Sequence, residues 1–195
     1  MYEALVRGLE SKPADKFVVR EAEQLADEVL QIYGHLGKSS STPIVNIAKE
    51  FGFKTIKADN IPDDISGNIF IGESAIKSYG SDKVIVVGSN EVLPHQRFII
   101  AHELAHYLMD YLGNEAYKNK LFSKTYPKIN HDSFEEIRAD RFAAEILMPK
   151  KVFLVEYVRA MKLSNYNKEY TITYLSELFK VKESSIFRRI NEVLE

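Results

Sequence analysis

The tightest constraint on this chain is the stretch RFIIAHELAHYLMD, residues 97–110, which sets His102, Glu103 and His106 inside an otherwise apolar run. Positions four apart on a helix share one face and lie about 6 Å apart along the axis, so both imidazoles can reach one ion. Glu103 projects beside such an ion rather than at it, where a carboxylate can take a proton from bound water. Phe98, Ile99, Ala101, Leu104, Ala105 and Leu108 make the flanks apolar. A charge in that setting needs a partner, because an unpaired buried charge is very costly. A metal-free helix with two satisfied histidines is the competing reading; the placement of the motif on an apolar helix favours a metal site.

The rest of the composition narrows the ligand set. The chain has no cysteine, which removes disulfides and thiolate ligands and leaves His, Glu and Asp. Its 195 residues fit one domain with room for a small appended module. A formal charge of −2 supplies no general attraction to nucleic acid or anionic membrane. The N-terminus, MYEALVRGLESK, lacks the apolar core of a secretion signal, and no apolar run reaches membrane-spanning length. A soluble protein of the reducing cytoplasm is the expectation.

In order along the chain, residues 1–16 read as a short helix or arm. Residues 18–36 form an amphipathic helix with a stripe from Val19 to Tyr33, His35 in its last turn and Gly37 as its stop. Pro43 leads a short helix over 44–51. Residues 53–58, 65–71 and 83–87 read as three strands of a small sheet, expected to be antiparallel, with an edge able to take an extended peptide. The segment YKNKLFSKTYPK, residues 117–128, carries four lysines and no acid, and reads as a solvated loop walling a substrate cleft. Helices follow over 150–163, 171–179 and 183–194, the last two with helix-turn-helix spacing and Arg188 and Arg189 on the second.

A second stretch with chemistry is DSFEEIRADRFAAEILMP, residues 132–149. Asp132 with Glu135 forms a capping box, which gives Glu135 a structural task and leaves Glu136 for another. Glu136 and Asp140 share a helix face, as a third metal ligand and a carboxylate for the far N–H of a ligand histidine would. Glu135 or Asp132 could be the ligand instead. The alternative is an exposed acidic face paired with Arg138 and Arg141.

The order RFxxAHELAH, a gap of about thirty residues, then ExxADxFAAxxLMP resembles the ImmA/IrrE metallopeptidases over roughly residues 20–195. These are bacterial and phage-borne proteins acting on helix-turn-helix repressors. Ala105 stands where members often have Gly, and Ile99 where many have Thr; neither position is a ligand. The resemblance implies an α+β fold, a small antiparallel sheet on a zincin-like, gluzincin-type helical core, divided into an arm (1–16), a metallopeptidase domain (17–149) and a helix-turn-helix-like segment packed on it (150–195). It implies zinc, with manganese or iron as substitutes, held by His102, His106 and Glu136. Glu103 is then the catalytic base, and Asp140 the carboxylate behind a ligand histidine. The substrate it implies is a repressor, cleaved to release stress-response or mobile-element genes.

Sequence leaves the oxyanion donor open among His95, Tyr111, Tyr126 and His131. Two rivals remain: a DNA-reading regulator with a structural metal, and an antitoxin-like binding protein with little proteolysis. Direct nucleic-acid binding is not expected, since the lysines and arginines of residues 171–195 are balanced by acids.

Overall fold

A computed structural model describes residues 2–13, 18–34, 40–62, 64–117, 122–127 and 133–194. The elements run α1 (Tyr2–Glu10), α2 (Val19–Tyr33), α3 (Ile44–Glu50), β1 (Lys54–Ala58), β2 (Ile65–Ile71), α4 (Glu73–Tyr79), β3 (Lys83–Gly88), α5 (Leu93–His106), β4 (Phe122–Pro127), α6 (Phe134–Leu147), α7 (Lys150–Leu163), α8 (Lys168–Phe179) and α9 (Glu183–Leu194). The fold is α+β, as expected, but the sheet departs from the sequence reading.

Four strands lie in the order β1-β3-β2-β4, and the sheet is mixed rather than antiparallel: β1 runs parallel to β3, while β2 is antiparallel to β3 and β4. Two strands separated by a hairpin-sized gap would pair antiparallel, but β2 and α4 intervene between β1 and β3 and form a crossover. Helix α4 was not anticipated. It explains why β3, KVIVVG, is apolar at consecutive positions. Ile85 and Val87 join the main core, whereas Val84 and Val86 join Ala75 of α4 in a second cluster on the other face. A strand covered on both sides reads as a continuous apolar run.

The fourth strand corrects the lysine-rich loop: within residues 117–128, Phe122–Pro127 is β4, an edge strand paired with β2. Phe122, Lys124 and Tyr126 oppose Ile71, Ile69 and Gly67 of β2, so these three side chains share the sheet face that packs on α5. The amphipathic helix α2 stops at Gly34, in the left-handed conformation at φ 70°, and not at Gly37. Both His35 and Gly37 lie outside the described residues.

Helix α5 sits between the sheet and α6, and its approach to the sheet depends on Gly67. A Cβ there would run into the side chain of Ile99 and sit 3.0 Å from the Val86 carbonyl. One core extends from Leu5 on α1 to Ile186 on α9 and includes both faces of this contact.

Helix α9 is fastened to α6 by Arg189, which is buried, donates to the Met148 carbonyl at 3.0 Å and ion-pairs with Glu145. Arg97 of α5 donates to the carbonyls of Thr42 (2.8 Å) and Lys180 (3.1 Å), tying the turn between α8 and α9 to the centre of the molecule. Among the described residues no helix is long and apolar enough to cross a membrane.

Candidate metal centre

Why α5 is buried on every side follows from its position, and the consequence is that His102, Glu103 and His106 are all within 1% of complete burial. Their one-turn spacing brings His102 Nε2 to 2.9 Å from His106 Nε2. Glu136 arrives from α6, with Oε2 2.9 Å from His102 Nε2 and Oε1 3.2 Å from His106 Nε2. One ligand atom from each residue lies within 4.8 Å of the others.

The other face of each imidazole is fixed by a carboxylate. His102 Nδ1–H donates to Asp140 Oδ1 at 2.9 Å, and His106 Nδ1–H donates to Asp110 Oδ2 at 2.5 Å. Those bonds place the proton on Nδ1 and turn Nε2 toward the shared point, the arrangement metal-bound histidines require. Glu136 keeps its backbone in place through the helix cap: its N–H donates to Ser133 Oγ. Ser133 is therefore the N-cap of α6, in place of the expected Asp132, and the residue three on from the cap is Glu136 rather than Glu135. Asp132 and His131 lie outside the described residues, and Glu135 is exposed.

Asp110 was missed by the sequence reading, as were the two cations that hold it. Arg138 donates to Asp110 Oδ1 at 2.5 Å and Lys124 donates to Oδ2 at 3.0 Å. Arg138 is thus buried behind His106, not paired with an exposed acidic face, and Arg141 pairs instead with Glu192. Asp110 stands on a π-helical turn, Tyr107–Tyr111, that continues α5 and is closed by the Leu112 N–H on the Tyr107 carbonyl. Such turns occur often at functional sites. A signal was present: Asp110 follows His106 by four, the same spacing that joins the two histidines.

Strand β4 supplies the lid over these groups. Successive same-face residues of a strand are about 6.7 Å apart and one-turn neighbours of a helix about 6 Å apart, so the two periods match. Tyr126 meets the His102 ring edge-on at 4.7 Å between centroids, and Lys124 reaches Asp110 and comes within 3.6 Å of Glu136 Oε1. His95 also touches Tyr126, whereas Tyr111 stacks on Tyr107.

Burial pushes the Glu103 carboxyl up to about 7, against the pull of His106 and His102. Neither of its oxygens has a hydrogen-bonding partner among the described residues. Burial would also raise Asp110, but its bond to His106 and the charges of His106 and Lys124 win and hold it at about 2. In Glu136 burial is likewise outweighed, by the two imidazoles, and the carboxyl lies far below the ordinary range. Burial lowers His102, yet Asp140 and Glu136 overcome it and carry the imidazole to about 9. Four carboxylates, Glu103, Asp110, Glu136 and Asp140, thus surround two imidazoles and two internal cations, Lys124 and Arg138. Two ring nitrogens and one carboxylate that meet at one point, with a further buried carboxylate beside them, fit a divalent ion.

Residues 48–191 match the Peptidase_M78 family, described as the IrrE N-terminal-like domain. No curated protein matches the sequence. Among solved structures that match, a Mycobacterium tuberculosis transcriptional regulator is 18% identical with a TM-score of 0.55; the alignment covers 94% of this chain and 49% of that one. The present chain therefore spans about half the length of that relative, and the likeness is one of fold.

Proposed function

The chain belongs to the Peptidase_M78 family, and we propose that it is a metal-dependent endopeptidase whose ion is held by His102, His106 and Glu136. The observation that carries this reading is the convergence of those three residues beside Glu103, a buried carboxylate with no hydrogen-bond partner among the described residues. A divalent ion, zinc by preference and manganese or iron by ligand chemistry, supplies an activated water and polarisation of the peptide carbonyl.

What the chain's own residues contribute can be derived from the geometry. Glu103, with a carboxyl at about 7, is matched to accepting a proton near neutral pH and returning it to the departing amine. Asp110 and Asp140 hold the two imidazoles in the Nδ1–H form and prevent their rotation. Burial of His102 and Glu103 keeps bulk water from competing for these protons.

The substrate in this reading is a helix-turn-helix repressor whose cleavage releases stress-response or mobile-element genes, and the reaction takes place in the cytoplasm. The zincin-like core spans residues 17–149 in this proposal, and the segment 150–195 is packed on it through Arg189. Burial of Arg189 against Glu145 argues against α9 as a DNA-reading helix, because that guanidinium is committed inside the protein.

Elemental analysis of the purified protein beside His106→Ala tests the metal centre; one equivalent in the first and a sharp loss in the second is expected, and equal metal in both would sink it. Glu103→Gln should keep metal and fold while cleavage of a co-expressed repressor falls by about 10²–10⁴-fold. Retained cleavage would remove Glu103 from the role of base.

A further inference from the structure

Between α5, α6 and α9 lies a cavity of about 460 Å³ whose wall includes Tyr126 and Asp140, both of which touch His102. The cavity is therefore one side chain away from a residue of the metal centre. Its lining combines apolar Phe98 and Met148 with the cations Arg141, Lys182, Arg188 and Arg189.

Among the described residues these cations are not all paired. Arg141 is paired with Glu192, and Arg189 is paired with Glu145 and Glu192. Two cations remain. Lys182 lines the cavity and forms no ion pair among the described residues. Arg188 is 70% exposed and has Asp140 as its ion-pair partner, at 3.8 Å, beyond hydrogen-bonding distance. Asp140 is itself committed to His102 at 2.9 Å. Ser184 and Ser185 line the same cavity.

We propose that this cavity is a recognition subsite for a carboxylate-bearing segment of the peptide substrate, with Arg188 and Lys182 as the residues that select it. The apolar part of the lining takes the aliphatic stem of a side chain such as that of glutamate, and the two cations and the serine hydroxyls take its carboxylate. A free C-terminal carboxylate presents the same group. The proposal rests on the peptidase reading for the meaning of the ligand, but occupancy of the cavity requires neither metal nor cleavage. A peptide anchored here would hold its chain next to His102, so the carboxylate would lie close in sequence to the bond that is cut.

Met148 provides a reporter inside the cavity, and Met109, buried in the core, an internal control. In the full-length Glu103→Gln chain carrying ¹³C-methyl methionine, three probes are titrated: an N-acetylated, C-amidated Ala-Ala-Glu-Ala-Ala peptide, its Gln counterpart, and N-acetylated Ala-Ala-Ala-Ala with a free C-terminus. The Glu probe should shift the Met148 methyl signal saturably and leave Met109 in place. The Gln probe should bind about ten-fold or more weakly, as expected on losing a charge-assisted contact. Arg188→Ala and Lys182→Ala should each weaken the Glu probe without altering the Met109 signal, which reports the fold. Binding by the free C-terminus and not by the Glu probe assigns the subsite to a chain end; the reverse assigns it to an internal acidic residue. Equal binding of Glu and Gln probes, no saturable shift from either carboxylate, or affinity indifferent to both substitutions would overturn the proposal. Because the readout is binding, such a failure is separable from absent metal or absent cleavage, which would overturn the peptidase reading and leave the subsite standing.

Discussion

The two histidine arms of the metal centre are chemically alike and physically different. Behind His106, Asp110 is 7% exposed in its side chain and receives two buried or half-buried cations, Arg138 and Lys124. Behind His102, Asp140 is 20% exposed and faces a cavity, with an exposed arginine at 3.8 Å. The first arm is a closed ionic cluster, in which every charge is needed to offset the desolvation of the others. The second is open on one side, where solvent screens part of the interaction. The contrast teaches that one ligand is fixed by the fold, while the other lies where a bound peptide would touch its support.

The sharpest way to break this comparison is Asp110→Ala. It takes from the buried Arg138 and from Lys124 the carboxylate they share, so a stability loss of about 3–5 kcal/mol is expected, together with loss of metal. Denaturant unfolding of the metal-free protein measures the first part alone; a loss no greater than that of Asp140→Ala would erase the asymmetry. Asp140→Ala should instead cost only about 1–3 kcal/mol, for the His102 Nδ1–H left without its acceptor, and weaken metal binding about 10–100-fold, read by chelator competition. Lys124→Met removes one of the donors to Asp110 and should cost about 1–3 kcal/mol, less than loss of Asp110 itself.

Acid titration sharpens the same point. Asp110 is held at about 2, below its ordinary value of 3.8, so the folded state favours its charged form. That contribution is complete above 3.8 and is lost as pH falls through 2. Stability of the wild type should thus drop between pH 4 and 2 more steeply than that of Asp110→Asn, as followed by circular dichroism of the metal-free chain. The smallest effect belongs to Arg188→Ala, whose exposed pair with Asp140 should change metal affinity less than about five-fold. A larger change would mean that the open arm is also electrostatically locked.

How much of this was legible in the sequence follows from which forces are local. His102, Glu103 and His106 were found because helix period alone brings them together, and Glu136 with Asp140 for the same reason on α6. Asp110 obeys that rule too, but its acid could be recognised as buried only with Arg138 and Lys124 in view, residues 28 and 14 positions away. Lys124 misled the reading of its whole segment. A lysine implies solvent unless an anion waits for it, so the in-and-out alternation of Phe122, Ser123, Lys124, Thr125 and Tyr126 passed for a polar loop. The mixed sheet and α4 were hidden because pairing of β1 with β3 is decided by the crossover between them, not by either strand. Ser133 displaced Asp132 as the cap of α6 by one position, a difference both residue types permit.

Because Phe122, Lys124 and Tyr126 are alternate residues of an edge strand, their relation to α5 has a parity. A slip of β4 by one residue against β2 would present Ser123 and Thr125 to the histidines and turn Lys124 to the outside. Asp110 would then face Arg138 and His106 without its second cation, and the ring against His102 would be gone. On the metal reading, the site would then report strand register: a chain that closed its sheet one step out of phase would lack the surroundings that fix His102 and His106, and metal loading would separate it from correctly assembled molecules.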